Sequence, residues 1–174
     1  MKQYSTRLAA IHWLTLLLFI VAFYLGHELD ETEVAASKMA LYPYHFIIGN
    51  LVLILTLIRT YFLRKDGKPA PITSGSAIAN KVAIGMHHLL YVLLIALPVS
   101  GMIMINTTGV LAALQANDAS KLPDLEKFAI HEVHAAIVAI IMLTIALHVV
   151  AALYHQFVLK DNLIRRMAMK RFED

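Results

Sequence analysis

Four apolar runs, residues 8–26, 44–63, 82–105 and 128–159, dominate the sequence. Crossing the hydrocarbon core of a bilayer takes about 20 mostly apolar residues as a helix, and in lipid a lone segment must satisfy its own backbone hydrogen bonds. Each run meets that length. The chain is therefore expected to be all-α, an integral membrane four-helix bundle with residues 1–174 as a single transmembrane domain. Composition agrees: 59% hydrophobic and 16% charged residues, against roughly 45–50% and ~25% in soluble chains. The first run follows Lys2 and Arg7, as a signal peptide would. It is read as a span instead, because it is long, ends without an A-x-A site and carries a histidine near its start.

Charge placement suggests an orientation. Lys2 and Arg7 precede the first run. Arg64, Lys65, Lys68 and Lys81 lie between the second and third, with Arg59 just inside the second. Lys160, Arg165, Arg166, Lys170 and Arg171 follow the fourth. Segments 27–43 and 106–127 are acidic: Glu28, Asp30, Glu31 and Glu33 oppose Lys38, and Asp118, Asp124 and Glu126 oppose Lys121 and Lys127. The positive-inside rule then puts both termini in the cytoplasm and the acidic loops on the other side of the membrane, the periplasm if the host is Gram-negative. A basic tail beside a span is read as meeting anionic lipid, not nucleic acid. Residues 66–76, with two prolines and two glycines, mark a loop. Pro43 is expected near the start of the second helix and Pro98 to kink the third. Gly49, Gly85 and Gly101 allow close approach of a helix or a flat ligand.

The sequence holds nine histidines and no cysteine, which excludes disulfides, cysteine-ligated clusters and covalent c-type haem attachment. Depth sorts the histidines. At about 1.5 Å per residue, His134 lies roughly 16 Å from the middle of its span on the acidic side, and His148 about 5 Å beyond the middle on the basic side. His12 lies roughly 7 Å to the basic side of its own span, and His45 about 13 Å to the acidic side. So His12 matches His148 and His45 matches His134. Two histidine pairs at two depths suit two b-type haems stacked across the membrane, each iron taking one imidazole from each of two helices. Zinc or copper would want three or four ligands converging on one point. A lone intramembrane histidine is often a hydrogen-bonded packing residue, but matched pairs of costly ionisable groups favour function. His87 and His88 share the depth of His12 and His148, so spacing alone leaves them as competitors. Gly49, one turn after His45, clears room for a ring face. Trp13 beside His12 reads as an interface anchor touching the haem environment. Arg7 and Arg59 are placed to pair with haem propionates. Positive-inside topology would account for them equally.

The stretches RLAAIHWL (7–14), HFIIGNLVLILTLIR (45–59), HHLLYVLLIALPVSGMIM (87–104) and HAAIVAIIMLTIALHVVAALYHQFVLKDNLIRRM (134–167) together resemble the prokaryotic cytochrome b561 family. The resemblance implies a dihaem oxidoreductase with His12, His45, His134 and His148 as axial ligands to haem iron, and it demotes His87 and His88 as ligands. IHEVH offers His131 as a rival to His134. His134 stands 14 residues from His148 and nearly in line with it, whereas the 17-residue step from His131 turns about 100° away. His155 matches a family histidine that is not a ligand and becomes a candidate for the quinone site, with His87 beside it. Gln156 stands where relatives often carry a second histidine. The implied activity is electron transfer from superoxide on the periplasmic side to ubiquinone. An anionic donor would favour local positive charge. Lys38, Lys121 and Lys127 could supply it within loops that are otherwise acidic. Two alternatives stand beside this: a cytochrome b subunit linking quinone to another redox protein, and a histidine-lined metal transporter.

Overall fold

The computed structural model describes residues 3–67, 69 and 77–169. Lys2, Lys68, Lys170, Arg171 and most of the expected loop 66–76 lie outside the described residues. Four long helices carry the fold: α1 (Thr6–Glu31), α2 (Ala35–Asp66), α3 (Ala77–Thr107) and α5 (Ala129–Phe157). Each is long and apolar enough to cross a membrane. A short α4 (Val110–Ala116) and two 3-10 turns join α3 to α5, and a third 3-10 turn, Leu163–Met167, follows α5. No strand occurs among the described residues.

The expected boundary of the fourth span agrees with α5 to within a residue or two. The first acidic segment does not form the expected loop. α1 runs on to Glu31 and α2 begins at Ala35, so only residues 32–34 reverse the chain. Thr32 and Val34 are extended there. The Thr32 N–H closes onto the Glu28 carbonyl, and the Val34 carbonyl accepts from Ser37 and Lys38. Hydropathy is blind to these turns because their polar side chains reach past the apolar core, while the backbone bonds continue. Pro43 consequently lies well inside α2 and not near its start; Pro98 is inside α3 as expected.

α1 packs along α2, α3 along α5, and α2 beside α3, whereas α5 makes no comparable backbone approach to α1 or α2 among the described residues. The two pairs meet at a waist. Phe19, Val52, Leu93 and Ile141, one from each long helix, form the buried apolar cluster. The outward faces carry the exposed Leu17, Ile20, Ile54, Leu143 and Val150, as lipid requires. Buried hydroxyls need no distant partner. Thr15, Thr56 and Thr144 donate to the carbonyls of Ile11, Val52 and Ile140, one turn back on their own helices.

Steps of seven residues, about 10 Å along a helix axis and nearly a whole number of turns, organise the inner faces. On α2 the inward stripe reads His45, Gly49, Val52, Thr56, Arg59, and on α5 it reads His134, Ile141, His148, His155. The waist thus lies midway between two histidine levels. One level lies toward the acidic loops and the other toward the end where α1 and α3 begin and α2 and α5 finish.

At the basic end, Asp66 accepts from Ser5 and, through both carboxylate oxygens, from Arg7, tying the start of α1 to the end of α2. Arg7 also stacks over Phe62, 4.3 Å from its centroid. The turn at 163–167 straps α5 to α1. The Met167 carbonyl accepts from Trp13 Nε1 at 2.8 Å, and the Arg166 carbonyl from the Tyr4 N–H at 3.1 Å.

Ile141 is fully buried while Leu143 faces lipid. Ile141→Ala should cost about 2–4 kcal/mol by opening a cavity at the waist, and Leu143→Ala under about 0.5 kcal/mol. Thermal unfolding in one detergent compares them.

Candidate functional site

At the acidic-end level, His45 of α2 and His134 of α5 face each other with ring centroids 6.4 Å apart and planes at 73°. Each ring is held through Nδ1. The Ala22 carbonyl of α1 lies 2.9 Å from His45 Nδ1. A carbonyl only accepts, so that nitrogen carries the proton. Ser100 Oγ donates to the Leu97 carbonyl at 2.7 Å, so its lone pair faces His134 Nδ1 at 2.8 Å. Both rings therefore keep Nε2 unprotonated, the tautomer that binds a metal, with the orienting partner on the other nitrogen.

Glycines make room for these rings. A Cβ at Gly26 would stand 3.0 Å from His45 Cε1, and one at Gly101 would stand 3.4 Å from His134 Cε1. At Gly49, one turn below His45, an added Cβ meets no atom within 4 Å. The fit to a haem can be judged from these positions. Two imidazoles on opposite sides of one iron have centroids about 6 Å apart, given two metal–nitrogen bonds of about 2 Å and two ring radii. The His45–His134 separation and tautomers match that arrangement, and Gly49 leaves clearance on the ring face. No group of three histidine or carboxylate side chains able to hold a bare metal ion occurs among the described residues.

At the basic-end level, His12 has Arg59, His148 and His87 as electrostatic neighbours. His87 meets His148 edge-on at 5.4 Å and 86°, with its Nδ1 bonded to the Ala83 carbonyl of its own helix at 2.6 Å. That spacing is shorter than a bis-imidazole iron needs. Trp13 lies 5.2 Å from His12, edge-on. Arg59 Nε is buried with no hydrogen-bond partner among the described residues, and the guanidinium stands 5.7 Å from the Tyr91 ring centroid. Arg7, expected beside a propionate, is engaged by Asp66 instead. Arg59 is thus the guanidinium available at this level.

His131 is an electrostatic neighbour of His134, and its buried Nδ1 lies 4.0 Å from Glu132 with no hydrogen-bond partner among the described residues. His88 is exposed. His155, beyond the basic-end level, places Nδ1 2.5 Å from Asp161 Oδ2. Gly26, Ser100 and Asp161 were not singled out from the sequence. Only Ser100, a hydroxyl beside Gly101 inside an apolar span, carried a local hint.

The lysines of the acidic loops do not form an open positive patch. Lys121 pairs with Asp118 at 3.2 Å and Lys127 with Asp124 at 3.1 Å. Ser120 and Lys121 hold the Asp118 carboxyl below its ordinary range, and Lys127 does the same for Asp124, where Lys38 adds its charge. Both carboxylates stay ionised at neutral pH, so the pairs persist there. They open only as pH falls through the lowered values.

The family model of prokaryotic cytochrome b561 matches residues 3–170. Similar proteins include the probable superoxide oxidase CybB of Yersinia pestis, 31% identical and spanning 98% of both chains. The cytochrome b561 homolog 1 of Escherichia coli K12 is 28% identical over 98% of this chain and 99% of its own. The cytochrome b562 of Cereibacter sphaeroides is 30% identical over 97% and 96%.

Gly26→Val should drive the His45 ring off its position and lower the haem content from about two to about one per chain. Gly49→Ala meets no protein atom, so it should leave folding intact while weakening haem retention. Pyridine haemochrome content against protein, with circular dichroism for folding, reads both.

Proposed function

The chain belongs to the prokaryotic cytochrome b561 family, and we propose that it is a dihaem b-type cytochrome that oxidises superoxide and reduces ubiquinone. Four apolar helices make it a multi-pass protein of the bacterial inner membrane. The basic ends of the helices favour both termini in the cytoplasm, as one transmembrane domain. The observation that carries the proposal is the His45–His134 pair, 6.4 Å apart, with both Nδ1 atoms engaged and both Nε2 atoms bare.

His45 and His134 would hold one haem, and His12 and His148 the other. Bound haem supplies reversible one-electron chemistry at iron, whose potential depends on axial ligation, burial and nearby charge. The chain's own residues shape the rest. Ala22 and Ser100 fix the ring planes of His45 and His134, Arg59 offers a buried cation to a propionate, and the waist keeps water from the space between the levels. The net reaction takes two superoxide anions, one ubiquinone and two protons to two O₂ and one ubiquinol. The family likeness and the name of the Yersinia relative support superoxide as donor.

A second reading has a specific observation in its favour. Lys121 and Lys127 are neutralised by Asp118 and Asp124, so the acidic end offers little attraction to an anion. A redox protein delivering electrons there, with this chain as its cytochrome b partner, would not need that attraction. A histidine-lined metal transporter is the least supported alternative, since no group of three histidine or carboxylate side chains among the described residues could hold a metal ion.

Purified protein should carry about two b haems per chain, and His45→Ala or His148→Ala should each remove about one. Superoxide generated enzymatically should reduce the haem band within the mixing time and stoichiometrically reduce added ubiquinone. A haem-loaded protein that superoxide leaves oxidised, but quinol reduces, would favour the second reading.

A further inference from the structure

Ubiquinone reduction consumes two protons as well as two electrons, and the membrane interior supplies none. Any chain residue that delivers a proton should stand at the membrane interface, close to the inner histidine stripe, with a nitrogen or oxygen unoccupied. His155 meets these conditions. It is two turns past His148 on the same face of α5, in the last turn of the helix, and is partly buried. Its Nε2 has no partner among the described residues.

Its other nitrogen is committed. Asp161 Oδ2 lies 2.5 Å from His155 Nδ1, and Asp161 is itself only partly exposed. Asp161 is fixed in turn by its backbone. Its N–H donates to the His155 carbonyl at 3.2 Å, and its Oδ1 accepts from the Leu163 N–H at 3.2 Å. The following Asn162 adopts a left-handed conformation with φ 57°, turning the chain into the 3-10 strap. The strap is anchored to α1 by Trp13 and Tyr4. The carboxylate can therefore neither swing away nor rotate freely, and it holds the Nδ1 proton of His155 in place.

We infer that Asp161 is a positioning residue that locks His155 with its proton on Nδ1, so that Nε2 serves as the proton-transfer atom toward a quinone carbonyl at the basic end. This rests on the quinone-reducing function proposed above. When the imidazole is doubly protonated, the Nε2–H bond breaks and an O–H bond forms on the quinone oxygen. The pair of electrons on the new oxygen–hydrogen bond belongs to the quinone, whose two reducing electrons come from two superoxide anions that leave as O₂. His155 is left neutral with Nδ1–H still on Asp161, and water returns the proton to Nε2. The second quinone oxygen takes its proton from bulk water. His155 acts on substrate, and Asp161 acts through His155, as the carboxylate of a catalytic triad acts through its imidazole.

Asp161→Asn separates this role from folding. The amide keeps an oxygen for the Leu163 N–H, but turns an N–H₂ toward His155 Nδ1. Two donors cannot face each other, so the ring must move its proton to Nε2 or rotate. In the haem-loaded, full-length protein labelled with ¹⁵N-histidine, the His155 signals should show Nδ1–H in the wild type and lose it in Asp161→Asn. Quinone reduction should slow about 10- to 100-fold in kcat, with KM within about two-fold, haem content unchanged and haem reduction by superoxide at the wild-type rate. The solvent isotope effect should rise as proton delivery becomes limiting. Asp161→Glu should recover most of the loss, and His155→Gln should match Asp161→Asn. Wild-type turnover in a correctly loaded Asp161→Asn, or an unchanged Nδ1 proton, overturns the inference alone. A wild-type protein that never reduces quinone overturns the functional proposal and this inference together.

Discussion

The contact among Phe19, Val52, Leu93 and Ile141 is the one on which the rest of the bundle depends. Each long helix contributes one side chain to it. There the α1–α2 pair and the α3–α5 pair meet, and α2 also runs beside α3. α5 makes no comparable backbone approach to α1 or α2 among the described residues, yet histidines from opposing pairs face each other across the gap. A bundle packed tightly along its length would leave no slot for a flat ring, and one open along its length would not hold its histidines in register. A single apolar layer at mid-height resolves the conflict. Its position, about two turns from each histidine level, follows from the seven-residue steps on α2 and α5.

Orientation of the side chains is the second layer of control. His45 and His134 come from different helix pairs, and each is steered by a third helix: α1 through the Ala22 carbonyl, α3 through Ser100. All four helices therefore act on one histidine pair, though only two contribute a ring. The basic end has a different character. There His12, His87 and His148 gather near Arg59, and the Arg7–Asp66 pair and the 3-10 strap close the end with polar bonds. One end carries paired, neutralised charges in short turns, and the other gathers imidazoles around a buried guanidinium.

Much of this was legible in the chain itself. The four spans follow from their hydropathy, and the bounds of α5 fall close to those of the apolar run 128–159, which Lys127 and Lys160 flank. The pairing of His45 with His134 follows from depth, since helical rise converts sequence number into height with little ambiguity. What could not be read depended on partners distant in sequence or on small residues. Nothing local in Gly26 announces that it faces His45. Ser100 and His134 are 34 residues apart, and Arg7 and Asp66 are 59 apart, and charge alone made Arg7 look as free as Arg59. The start of α2 was missed for another reason: Ser37 and Lys38 are polar because they stand outside the lipid, and a hydropathy window cannot tell a polar helical turn from a loop.

The seven-residue steps make the helices between the two levels a ruler. On α5, His134, Ile141, His148 and His155 share one face only because the intervals between them hold a nearly whole number of turns. Inserting one residue between His134 and His148 would swing everything beyond it by about 100° and shift it by about 1.5 Å. His148 would then face α3 or lipid, and the strap at 163–167 would part from Trp13 and Tyr4. The same insertion between Asp118 and Asp124 would only lengthen a surface turn. The molecule is thus rigid to changes of length at its centre and tolerant of them at its acidic rim. Its two histidine levels cannot be adjusted independently by lengthening or shortening the helices that join them.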